Sequence, residues 1–205
     1  MSKSNMFHLI LYTCPVGPLA QQLEAYLEES KRLCGPNTAH AYMPHCTLTG
    51  FFVDSGCAEW AVSDAEIEKS SQTIAYYIDA LEKVLADYKQ SLKNNLAPAE
   101  PAPKIQIEQL MFRPDWHGLS LRADWLKPLV AAFADRANSP TLQAPLRLKD
   151  WLHVSLAYDF QPEHAPVLKQ LADELIDISA EVAWELRFYQ RSHNNTWKCH
   201  RAWPL

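Results

Sequence analysis

Apolar positions along the chain fall into two spacings, one of period two and one of period about 3.6, and they alternate. Phe7-His8-Leu9-Ile10-Leu11-Tyr12 is a short, nearly unbroken apolar run that stops at Pro15 and Gly17, which predicts a buried strand. Leu19, Leu23, Tyr26, Leu27 and Leu33 then recur at helical spacing until Gly35-Pro36-Asn37 ends the pattern. Residues 45–53, rich in Thr and Phe, predict a second strand. Ser63-Asp64-Ala65-Glu66 has capping-box spacing. Behind it Ile67, Ile74, Ile78, Leu81, Leu85, Tyr88 and Leu92 form one face of a long amphipathic helix. Residues 94–103, with three prolines, read as the link between two halves.

The second half repeats the plan. Residues 104–112 and 116–123 predict a hairpin across Arg113-Pro114-Asp115, followed by a helix over about 124–137. Residues 153–160 predict a strand, and a proline opens a helix over 162–176. Two closing strands, 182–190 and 196–203, are joined by Ser192-His193-Asn194-Asn195. Each half therefore contains strand, helix, strand, and the strand after that helix ends in aromatics, Phe51-Phe52 in the first half and Tyr158-Asp159-Phe160 in the second. The pattern implies a duplication that faces itself across a groove.

These two strands open on matching motifs, His45-Cys46-Thr47-Leu48 and His153-Val154-Ser155-Leu156. Side chains on a strand alternate faces, so His45 shares a face with Thr47, and His153 with Ser155. Two such strands side by side offer two imidazoles and two hydroxyls around one point. A neutral imidazole takes a proton from attacking water, and an imidazolium gives one to a leaving oxygen. The hydroxyls hydrogen-bond the non-bridging oxygens of a phosphodiester. One motif alone is more often a satisfied core histidine; two in matching positions favour the chemical reading.

Composition narrows the substrate. The chain has 205 residues with 48% hydrophobic and 21% charged, ordinary for one compact domain or two small lobes. Its formal charge of −5 argues against broad binding along a nucleic-acid backbone and leaves a small nucleotide or a short RNA end. No run approaches the roughly 20 apolar residues of a membrane span, and the N-terminus reads as a strand, not a signal peptide. Five cysteines, an odd number without CxxC spacing, suggest a reduced, cytoplasmic setting. A monomer is favoured.

The paired motifs resemble the 2H phosphoesterase superfamily. Within it the chain is similar to the 2H phosphodiesterase segment of the TULA/STS signalling proteins. That likeness rests on residues 34–48 with Phe51-Phe52, on Leu152-His153-Val154-Ser155-Leu156-Ala157, and on the ending from Trp184-Glu185-Leu186 onward. The resemblance implies an α+β fold: one bilobal domain over 1–205, lobe one about 1–97 and lobe two about 103–205, with antiparallel sheets lining a central groove. It implies metal-independent hydrolysis of 2′,3′-cyclic nucleotides or RNA 2′,3′-cyclic phosphate ends, leaving a 2′-phosphate. His45 and His153 are then the catalytic pair, with His153 as base and His45 as acid, and Thr47 and Ser155 bind phosphate. The alternatives are a phosphodiesterase acting on 2′-5′ oligonucleotides or RNA 3′ ends, and a non-catalytic nucleotide-binding module.

Further candidates for substrate contact are His40, in the loop before the first motif, and Tyr12, Tyr42, Phe51, Tyr158 and Trp197, whose rings suit base stacking. Arg113 and Arg191 are candidates to hold a phosphate, though lone arginines usually sit at the surface. His193, Cys199 and His200 have loose metal-ligand spacing but no matching second pair, so neither a metal nor any other cofactor is expected.

Overall fold

The computed structural model describes residues 8–57, 64–95, 103–192 and 194–205. Phe7, Ser63, most of the proline-rich link and His193 lie outside them. The chain forms β1 (His8–Val16), α1 (Pro18–Cys34), a 3₁₀ turn (Thr38–Ala41), β2 (Cys46–Thr47) and the long α2 (Asp64–Asn95). After the link come β3 (Gln106–Phe112), β4 (Trp116–Arg122), α3 (Leu126–Arg136), β5 (His153–Tyr158), a 3₁₀ turn (Pro162–His164), α4 (Ala165–Leu175), β6 (Ala183–Arg191) and β7 (Trp197–Pro204).

These strands make one seven-stranded antiparallel sheet among the described residues, in the order β3-β4-β5-β2-β1-β6-β7. The sheets expected for the two lobes are thus two halves of a single sheet, joined along β2–β5. Sequence halves and sheet halves do not coincide, because β6 and β7 come from the second half but pair onto β1. Such pairing is long-range and leaves no local signal.

Alternation divides the sheet into two faces with different work. On β1, Leu9 and Leu11 face the helices, in a core with Leu19, Leu23 and Tyr26 of α1, Tyr77 and Leu81 of α2, Phe133 of α3 and Leu168 of α4. Ile10, Tyr12 and Cys14 face the other way, in a smaller cluster with Tyr189, Met43, Phe51 and Trp197. All four helices therefore feed the core on one face, and the opposite face is left for a site. Some helical positions fall off that core: Leu33 and Ile67 are 47% and 53% exposed.

The strand expected over 45–53 is only two residues long. Beyond Thr47 the chain is extended but changes partner repeatedly. Leu48 and Thr49 both donate to the Leu11 carbonyl, then single bridges join Thr49 to Leu148, Phe52 to Leu9 and Asp54 to Leu142. The segment thus serves as a seam between three others and never builds a regular ladder with one.

Candidate active site

The register at the seam places the four motif groups together. Cys46 pairs with Val154 in an antiparallel bridge, so one step to either side sets His45 against Ser155 and Thr47 against His153. Each imidazole lies beside the other strand's hydroxyl. Cys46 and Val154 are fully buried on the helix side, while the four polar groups point to the open face. There they line a cavity of about 360 Å³ with Tyr12, Tyr42, Phe51 and Tyr158.

Both imidazoles are held the same way. His45 Nδ1 lies 2.7 Å from the Met43 carbonyl, and His153 Nδ1 lies 3.2 Å from the Trp151 carbonyl. A carbonyl only accepts, so each Nδ1 carries the proton and each Nε2 is left with its lone pair. The two hydroxyls differ. Ser155 Oγ accepts from Trp116 Nε1 at 2.9 Å, which leaves its own proton for a ligand. Thr47 Oγ1 makes no side-chain hydrogen bond among the described residues.

The surroundings of the two histidines are unlike. His45 sits against Tyr12 (ring centres 4.0 Å apart) and Tyr42 (5.4 Å). Burial, and then repulsion from His153, lower its pKa to about 4 against the Met43 hydrogen bond. His153 stacks on Trp151 at 4.1 Å and meets the edge of Trp116 at 5.3 Å. Its pKa is also lowered, by burial and by the Lys149 and Arg113 charges. Arg113 lies over both tryptophans, its guanidinium carbon 4.9 Å from the Trp151 centre and 5.8 Å from that of Trp116. Trp116 lies over Gly118 in β4, where any Cβ would collide with the indole and the Val154 carbonyl. That glycine is what lets the ring reach Ser155.

Other expected contacts are placed differently. Trp197 does not line the cavity. It packs behind it on Tyr12, Tyr42 and Phe51 and donates to the Ala41 carbonyl at 3.2 Å. His40 is not among the residues that line the cavity, and it caps the turn before β2. Its Nδ1 accepts from the Asn37 N–H at 2.8 Å, and its Nε2 meets Ser30 Oγ at 3.0 Å. With both nitrogens engaged it fixes the turn that delivers the chain to β2. Arg191 also lies behind the wall, over Tyr42, Phe51 and Trp197, and donates to the Tyr42 hydroxyl at 3.0 Å. Tyr42 in turn lies close enough to Tyr158 to help raise the latter's pKa, after burial, to about 12, so the two halves meet at this end of the cavity. Among the described residues no group of three His, Cys, Asp or Glu side chains could hold a metal ion, and no helix is long and apolar enough to cross a membrane. All five cysteines are free.

Sequence reasoning missed Trp116, Trp151, Arg147 and Lys149, all on the cavity. Period two was a signal for one of them: Trp151 precedes His153 by two residues and falls on its face.

Two His-x-(Thr/Ser) strands thus lie side by side in an antiparallel sheet over one cavity, the arrangement that the chain's resemblance to the 2H phosphoesterases implies. The chain is similar to TULA-type proteins. The human ubiquitin-associated and SH3 domain-containing protein B is 32% identical over 182 residues, covering 89% of this chain and 24% of that protein. The Drosophila melanogaster ecdysteroid-phosphate phosphatase is 30% identical over 194 residues, covering 89% of this chain and 26% of its own length. The chain thus spans about a quarter of the length of the curated relatives it matches. No family model matches it. The solved structure of Kluyveromyces marxianus Usb1 is a distant likeness, at 14% identity and a TM-score of 0.33 over 98% of this chain and 99% of that one.

Proposed function

We propose that the protein is a metal-independent phosphodiesterase that opens 2′,3′-cyclic phosphates, on a nucleotide or at an RNA end, to a 2′-phosphate. The observation that carries this reading is the Cys46–Val154 pairing, which sets two imidazoles and two hydroxyls around one point on the open face of the sheet. One Nε2 takes a proton from water as the water oxygen attacks phosphorus. The P–O3′ bond breaks, and the other imidazolium gives its proton to the departing 3′ oxygen. Thr47 and Ser155 donate to the non-bridging oxygens as charge builds on them.

The unlike surroundings favour a division of roles that reverses the one implied by resemblance. His45, its pKa held near 4 by burial, enters neutral and acts as base. His153, nearer solvent and less strongly shifted, acts as acid. An anionic phosphate between them offsets the Lys149 and Arg113 charges and favours its protonated form.

The test is turnover in EDTA across a panel: 2′,3′-cyclic AMP, 2′-5′ oligoadenylate, oligo-U and p-nitrophenyl phosphate. The monoester is included because two insect relatives are named for a phosphatase activity. Hydrolysis of the cyclic diester with a 2′-phosphate product is the expected result. Hydrolysis of the monoester alone, or no turnover of any diester, contradicts the reading.

A further inference from the structure

The cavity is walled by aromatic rings, Tyr42 and Tyr158 among them, and its lining also carries cations. Arg147 and Lys149 line it, and no Asp or Glu does, in a chain whose formal charge is −5. Neither side chain forms an ion pair among the described residues. Both are exposed, and backbone hydrogen bonds fix the segment that carries them. Gly50 N–H donates to the Arg147 carbonyl at 2.6 Å, Lys149 N–H donates to the Leu48 carbonyl at 3.0 Å, and Thr49 bridges Leu148 between them. Residues 147–149 are therefore zipped onto residues 48–50, the continuation of the first motif strand. Gly50 stands three residues past Thr47, at most about 10 Å along extended chain. Alternation then turns Arg147 and Lys149 to one side and Leu148 to the other. Lys149 is close enough to weigh on the charge of His153.

An uncompensated pair of cations next to a phosphate-sized site is a site for a second anion. We propose that Arg147 and Lys149 bind a further phosphate of the substrate, so the protein acts on a 2′,3′-cyclic phosphate whose nucleoside also carries a phosphate on its 5′ side. This rests on the cyclic phosphodiesterase reading above and names the substrate class within it. The second phosphate is either the 5′-phosphate of a mononucleotide or the internucleotide phosphate of an RNA end.

The experiment compares kcat/KM for adenosine 2′,3′-cyclic phosphate, its 5′-phosphorylated form and a trinucleotide ending in a 2′,3′-cyclic phosphate. It uses the unaltered chain and the R147Q/K149Q variant. The unaltered chain should prefer the doubly phosphorylated substrates by on the order of tenfold. The variant should lose that preference, its ratio falling toward one, and the preference in the unaltered chain should shrink as salt rises. A trinucleotide better than the 5′-phosphorylated nucleotide identifies an RNA end, and equality identifies a mononucleotide; both support the subsite. Equal rates on all three substrates in the unaltered chain overturn it while leaving the hydrolase reading intact. If none turns over, the hydrolase reading fails and binding decides the subsite. Adenosine 3′,5′-bisphosphate should then bind several-fold more tightly than adenosine 3′-monophosphate, and only without the double substitution. Equal affinities overturn it.

Discussion

The two motifs occupy equivalent places on the sheet and live in unlike company. His45 is walled by Tyr12 and Tyr42 and pressed toward neutrality by burial. His153 lies between Trp151 and Trp116 with two cations nearby. Thr47 has no side-chain partner among the described residues, whereas Ser155 is held by Trp116. A pattern that looks symmetrical along the chain thus becomes a site with two different ends. Acid–base chemistry needs that difference, since two groups of equal pKa divide their roles poorly.

The two histidines should differ most in their response to the leaving group. His153→Asn should lower kcat on 2′,3′-cyclic AMP by about 10²–10⁴-fold, and most of that loss should return on a p-nitrophenyl phosphodiester, whose leaving oxygen needs no proton. His45→Asn should lose as much and recover little. The opposite pattern would assign His153 as base.

Removing one hydroxyl comes next. Thr47→Val and Ser155→Ala should each lower kcat by about 10²-fold, the usual scale for one oxyanion donor. The serine change should also reduce stability, because it leaves the Trp116 N–H without its partner at a cost of about 1–3 kcal/mol. Chemical denaturation of the two variants reads that difference, and equal stabilities would remove Trp116 from the account.

A smaller effect is expected from Trp116→Phe, which keeps the packing but not the N–H. A several-fold fall in kcat with little change in unfolding midpoint is the expected result. Gly118→Ala, by displacing the indole, should do at least as much damage and should also lower stability.

The smallest effect is a shift in pH profile. Free-protein kcat/KM should rise as His45 loses its proton near pH 4 and fall as His153 loses its own below its ordinary value. The optimum should therefore be acidic. Arg113→Gln removes a charge that disfavours the His153 imidazolium, so its pKa rises and the alkaline limb should move to higher pH. An unmoved limb would mean that His153 does not set it.

Much of this was legible in the chain because period two carries it. His45, Thr47, His153 and Ser155 share a face by spacing alone, and the helices around 19–33 and 67–92 follow from theirs. Contacts between distant segments were not legible. Nothing local says that Cys46 meets Val154, that β6 returns to β1, or that residues 147–149 run along 48–50. The aromatic walls were half legible. Tyr12, Tyr42, Phe51 and Tyr158 reach the cavity, but Trp197 packs one layer behind it and His40 caps a turn. A ring's type does not reveal which side of a wall it occupies.

A histidine cycle in EDTA tests most directly whether two imidazoles work on one phosphate without a metal. Turnover of 2′,3′-cyclic AMP is measured for the unaltered chain, His45→Asn, His153→Asn and the double variant. Full activity in EDTA is expected, with a fall of at least about 10²-fold in either single variant and a double variant scarcely worse than the singles, because the pair acts as one unit. Activity abolished by EDTA, or a single variant that turns over like the unaltered chain, would contradict that mechanism.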